Sequence, residues 1–429
     1  MKGNFKIIIL FVFIVAAVLG VFVFSGAIPL GSEKNKTGGG GTVVLWGTVK
    51  SQIIFPLLDD FNRANPDFTV KYVEKSPDSF DNDLLEALAA GVGPDLFFIS
   101  DDLTFKYSNK IYTIPYESFP IATFKDNFVG AGEVFLVSKG VLAFPLAVDP
   151  LVMYYDRSAL DSSGIAYPPA SWDELLNFIP LLTKKSDDGK ILKSAVAMGQ
   201  FSNISHAKDI ISTLFMQSGN KIVAEKNGSF LSALNGYDLG SVLKFYADFA
   251  DPLKDVYSWN RSFPVSRDAF SALDLAFYFG FASELQSLAN KNPNQNFSVA
   301  LIPQIKGANF KLTSAHVIGI AVSSFSKNFN TAFTAAGLLS NSDFASGFAN
   351  SIGIAPARRD LFSVKLTDEY LPVFYSSAFF ARSWLDPSPK DTDEIFRGMV
   401  EKVLSNSMSA TDAIKDAGAK LGLLLIPKL

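Results

Sequence analysis

The chain has 429 residues, enough for two or three domains, and its 48% hydrophobic against 19% charged residues excludes wholesale disorder. A net charge of −4 without any Lys/Arg block argues against a nucleic-acid partner. With no cysteine there is no disulfide, thiol catalysis or lipid-bearing cysteine, and two histidines far apart, His206 and His316, argue against a metal centre.

Lys2 and Lys6 precede residues 7–24, eighteen positions without a charge. At 1.5 Å per residue such a helix spans ~27 Å, close to the ~30 Å hydrocarbon core. Signal-peptide cores are shorter, about 7–15 residues. Residues 1–30 are therefore read as an uncleaved signal-anchor, a transmembrane helix with the bulk of the chain outside. A cleaved signal ending at Ser25-Gly26-Ala27 is the competing reading. Residues 31–41, GSEKNKTGGGG, have no periodicity and read as a glycine-rich linker.

Beyond the linker the pattern alternates between strand and helix. Residues 42–45 form an apolar β-rich run, and Ile54, Leu57, Leu58 and Phe61 follow at helical spacing. Pro56 must sit in the first turn of that helix or kink it. Residues 68–73 read as a strand, and Phe80, Leu84, Leu85 and Leu88 as a helix. A third strand, residues 96–99, ends abruptly at Ser100-Asp101-Asp102. This β-α-β-α-β order predicts a parallel or mixed sheet covered by helices, with ligands bound beyond the carboxyl ends of the strands. Trp46-Gly47-Thr48, Ser100-Asp101-Asp102 and Asp149 all lie at such ends. Helices dominate later, one opening at Ser171-Trp172-Asp173-Glu174 with the spacing of a capping box. Residues 297–302 and 317–322 read as strands, and the stretch from Asp391 as amphipathic helix through Ile395, Met399, Val403 and Met408.

Six stretches, in order, resemble the extracellular solute-binding proteins of ABC importers, in the branch related to maltose-binding protein. They are VVLWG with ANPDFTV, GPDLFFIS, LAFPLAVDPLVMYYDRSAL, YPPASWDELL, KNPNQNFSVALIPQ and IGIAPARRD. The resemblance implies a two-lobed, hinge-connected α/β fold of the periplasmic-binding-protein-like type II. Residues 42–146 and 302–350 would form lobe I, and residues 147–301 and 351–429 lobe II. It implies a monomer that closes on a sugar or oligosaccharide and presents it to permease subunits. No cofactor, metal or catalytic residue is implied.

The ligand-binding candidates are Trp46, Thr48, Ser100, Asp102, Asp149, Asn203, Trp259, Arg261, Phe281, Ser283 and His316. Carboxylates and amides suit sugar hydroxyls, and aromatic faces suit the apolar side of the ring. Asp102 and Asp149 are expected to accept hydroxyl hydrogen bonds from facing lobes, and Asp101 to cap the following helix. Trp46 reads equally as core. The chain departs from many sugar binders of the family at Gly280-Phe281-Ala282-Ser283 and at Ala315-His316-Val317, where tryptophans are usual. Two other functions stay open: a surface receptor without a transporter, and a carbohydrate hydrolase. The hydrolase lacks any recognisable catalytic motif.

Overall fold

Residues 41–236, 238–363 and 366–426 are described by the structure, a computed structural model. The signal-anchor and residues 31–40 of the linker lie outside them. Among the described residues no helix is long and apolar enough to cross a membrane.

The opening alternation is present. Strand Thr42–Gly47 pairs parallel with Thr69–Glu74 on one side and Leu96–Ser100 on the other. The helices between them form because apolar residues recur on one face. Ser51–Ala64 buries Ile54, Leu58 and Phe61, and Phe80–Ala89 buries Phe80, Leu84 and Leu88. Pro56 falls in the second turn of its helix, where it removes one intrahelical donor. Gly93-Pro94-Asp95 turns the chain into the third strand, and Asp95 fixes that turn. Its carboxylate accepts from the Val44 amide at 2.9 Å and from Ser326 Oγ at 2.6 Å.

One strand runs through both lobes. Ala143–Asp156 is fourteen residues long, ~46 Å at the usual rise, and nearly all of it is buried. Residues 143–150 pair antiparallel with Thr313–Val322. Residues 151–155 pair antiparallel with Leu275–Phe281, and 153–156 with Phe297–Ala300. The sheet is therefore continuous and mixed, running from Thr69–Glu74 at one edge to Lys184–Lys185 at the other. The register slips between Ile318 and Gly319, opposite Pro145. A proline has no amide to give the ladder, and a bulge is where a sheet tolerates one.

Helices cover both lobes. Phe329–Leu339 and Ser342–Ser351 pack on the first, and Pro389–Leu404 and Ala410–Leu424 pack against Leu239–Asp248 on the second. Ser171 caps Trp172–Leu182 as its spacing predicts, but Glu174 reaches back to the Ala170 amide rather than to Ser171 itself. Met408 falls between the last two helices, so the terminal amphipathic stretch is two helices rather than one.

Asp95→Ala removes an acceptor from two hydrogen bonds and leaves the Val44 amide unpaired. The expected cost is about 2–4 kcal/mol in urea unfolding, with an unchanged m-value.

Candidate functional site

The strand Leu96–Ser100 ends where helix Asp101–Tyr107 begins, and the two adjacent carboxylates part there. Asp101 turns inward. It is 4% exposed and accepts from the Val317 amide at 3.1 Å, from His316 Nδ1 at 3.3 Å and from Ser383 Oγ. This corrects the expectation that Asp101 caps the helix: Ser100 holds the cap position, without a side-chain cap bond, and Asp101 is the first helical residue. One buried carboxylate thereby ties together three segments distant in sequence.

Electrostatics follow from that geometry. Burial works against the Asp101 charge, but His316, Ser383 and the Val317 amide outweigh it and hold the carboxyl below the usual range. Burial alone would lower the His316 pKa. Asp101, with help from Asp209 and Asp102, instead raises it to about 10, so the ring is an imidazolium at neutral pH. Asp102 points elsewhere, to Ser100 Oγ. Burial and the neighbouring Asp101 charge push its carboxyl up.

Asp149 lies directly across the sheet from His316. Its Oδ1 accepts from the Ser283 amide at 3.0 Å, and burial raises its carboxyl. The Phe281 ring stands between the two histidines, 4.6 Å from His316 and 4.8 Å from His206. His206 adopts a left-handed conformation, φ 59°, rare for a residue with a Cβ. Its Nε2 lies 2.6 Å from Glu284 Oε1, and Glu284 also bonds the Phe281 amide and the Tyr278 hydroxyl. The turn that carries Phe281 and Ser283 is thus fixed from behind by Glu284.

Beside this cluster opens a crevice of about 50 Å³, walled by Asp102, His316, Lys208, Arg382 and Trp384. Ligand pockets for drug-sized molecules are ~300–1,000 Å³, several times larger than this crevice. Lys208 Nζ lies 2.8 Å from Asp386 Oδ2 and 3.1 Å from Thr392 Oγ1. The Trp384 indole, partly exposed, stacks on Phe396. Among the described residues no group of three or more His, Cys, Asp or Glu side chains is placed to hold a metal.

The other sequence candidates are placed differently. Trp46 is partly buried, and Lys75 Nζ lies 3.8 Å from the centre of its ring. Thr48 is exposed at the end of the same strand and, like Trp46, does not line the crevice. Asn203 donates to the carbonyls of Asn260 and Phe263, and Arg261 donates to Gln200 Oε1. These bonds lace two loops together. Trp259, expected on a ligand-facing loop, is fully buried and stacked on Phe263 at 4.5 Å. A large ring pinned against another inside the core has no face to offer a solute here.

Sequence reading missed Lys208, Ser383, Trp384 and Asp386. Trp384 carried a readable signal: it is one of only four tryptophans and lies in a polar Ser-Trp-Leu-Asp-Pro loop. Lys208 carried none, being an ordinary lysine near a helix start.

The family model for bacterial extracellular solute-binding proteins matches residues 46–343. A putative binding protein of Brucella abortus is 22% identical over 381 residues, covering 85% of this chain and 88% of its own length. Among solved structures, a cyclic α-maltosyl-1,6-maltose binding protein from Arthrobacter globiformis superposes with a TM-score of 0.74 at 15% identity, covering 90% of this chain and 99% of that one. A sugar-binding protein from Xanthomonas citri gives 0.70 at 16% identity, covering 90% and 97%. At such identities the structures establish a shared fold.

Asp101→Ala leaves the His316 imidazolium and the Val317 amide without their partner. Only Asp101 is buried and the His316 side chain is 43% exposed, so solvent screens part of the loss and the expected cost is that of an unpaired buried amide, about 1–3 kcal/mol. The pH dependence has a definite sign. A raised histidine pKa stabilises fully below the ordinary value, ~6.5, and the gain is lost as pH climbs through about 10. The lowered Asp101 carboxyl stabilises above ~3.9 and loses its contribution as pH falls. The difference in melting temperature between wild type and His316→Gln is therefore largest in the mildly acidic range between ~3.9 and ~6.5, is already falling at neutrality, and narrows further as pH climbs through about 10.

Proposed function

Because the chain belongs to the family of bacterial extracellular solute-binding proteins, we propose that it captures a sugar or oligosaccharide between its lobes and delivers it to an ABC importer. The observation that carries the sugar assignment is the company of Trp384 in the crevice. A partly exposed indole stands beside a carboxylate, Asp102, and the cations His316 and Lys208. That set offers an apolar face for a ring and charged partners for its hydroxyls. Asp149 supplies a second acceptor from the shared strand once the Ser283 amide lets go. Structural neighbours whose names specify sugars support the same class.

Closure is the working step. Lobe I, residues 42–146 and 302–350, moves against lobe II, residues 147–301 and 351–429, about the strand Ala143–Asp156. Closing of the lobes desolvates whatever lies between them, and desolvation strengthens every polar contact inside. The protein acts extracytoplasmically as a monomer and without catalysis. Residues 7–24 hold it to the membrane.

Calorimetric titration with maltotriose and maltotetraose tests the ligand class. Asp102→Ala removes a charged acceptor worth ~1.5–3 kcal/mol, so affinity falls roughly 10- to 150-fold. Trp384→Ala is expected to lose at least as much, with the oligosaccharide recovered unchanged from both variants. Absence of heat with either sugar, and with monosaccharides, overturns the assignment.

Fractionation tests the anchor. The full chain is expected in the membrane pellet with its first residues retained. A soluble mature form beginning near Ile28 overturns it.

A further inference from the structure

Two tight turns meet tip to tip. The first belongs to the hairpin Val223–Lys226 with Ser229–Ser232. Asn227 and Gly228 form its two-residue turn, with φ 53° and 77°. Both angles are left-handed, as the tightest hairpin connection requires, and Asn-Gly is the pair best suited to it. This hairpin rests on helix Ala410–Leu424 of the second lobe. The facing turn, Ser138-Lys139, joins Leu136–Val137 to Gly140–Val141 and is supported by the 3-10 turn Gly130–Phe135 of the first lobe.

The contacts between them are specific. The Ser138 amide donates to both carboxylate oxygens of Glu225, at 3.0 Å each. A Cβ built on Gly228 would lie 3.6 Å from Ser138 Oγ. The Phe230 ring meets Phe105 edge-on, with centroids 6.0 Å apart and planes at 72°. Phe105 sits three residues after Asp102 on helix Asp101–Tyr107, so the two share a helix face. The hairpin therefore packs on the helix that carries Asp102.

We propose that the hairpin 223–232 is a latch that holds the two lobes together before any ligand arrives, so that a solute enters only after the Glu225–Ser138 and Phe230–Phe105 contacts part. The latch suits a reversible gate because each contact is small. Glu225 and Ser138 meet at an exposed edge, where such bonds contribute little. The aromatic pair shifts the closed-to-open ratio by about 2- to 12-fold. Such contacts bias the lobes without locking them. The inference rests on the lobes moving about their shared strand, and its tests use no sugar, so a wrong ligand class leaves it intact.

The absence of cysteine makes a cross-link clean. Ser138→Cys with Gly228→Cys is oxidised mildly in the full chain without ligand, and the joined peptides are read by mass spectrometry. The expected result is a rapid cross-link, and absence of a cross-link although both thiols alkylate freely overturns the latch. The left-handed backbone at residue 228 strains a cysteine there, so hydrogen exchange at the Ser138 amide supplies a second readout without any cysteine. In Phe230→Ala that amide is expected to exchange about 2- to 12-fold faster, although its own acceptor, Glu225, is intact. Unchanged exchange overturns the proposal.

Discussion

The strand Ala143–Asp156 is the constraint from which the rest of the molecule is hung. Its early residues pair with Thr313–Val322 and its late residues with Leu275–Phe281 and Phe297–Ala300. Side chains along a strand alternate between faces, so a slip of one residue would exchange every face. Asp149 would then trade places with buried Val148, and the Asp149–His316 neighbourhood would vanish. Pro145 sits opposite the one irregularity in this pairing, and Pro150 lies at the change of partner. Prolines withhold donors where the ladder is already interrupted: Pro145 at the bulge and Pro150 at the change of partner.

A second dependence runs through Asp101. A carboxylate so deeply buried is costly unless every lone pair is used. Here the imidazolium, a backbone amide and a hydroxyl use it up, and they come from the strand Thr313–Val322 and the segment after Ala381–Arg382. The arrangement fixes which carboxylate remains for chemistry. Asp102, one residue on, is left with Ser100 and the crevice, and carries the repulsion of its neighbour. Adjacent residues of identical chemistry thus acquire opposite duties, because a helix start turns successive side chains by ~100°.

Much of the fold was legible from pattern. Ile54, Leu58 and Phe61 are spaced for one helix face, and they are the residues that helix buries. The Asn227-Gly228 pair carried an equally local hairpin signal that the sequence reading passed over, since few residues but these accept two left-handed angles in succession. Trp259 and Trp46 show the opposite case. A tryptophan reads the same whether its ring will be stacked in the core on Phe263, partly covered by Lys75, or left partly exposed in a crevice like Trp384. Local sequence carries the size and polarity of a side chain but not what packs over it.

The alternation of strand and helix and the polar strand ends lie in the sequence itself, because periodicity and turn chemistry act over a few residues, and so do the six stretches that resemble the solute-binding family. Tertiary structure alone decided which of Asp101 and Asp102 is buried, that Lys208 joins Asp386, and that Trp384 stands beside His316 in the same crevice. Those outcomes depend on contacts between segments separated by as many as 282 positions, as Asp101 and Ser383 are. Such contacts form only when the shared strand has brought both lobes into register, and no local pattern encodes them.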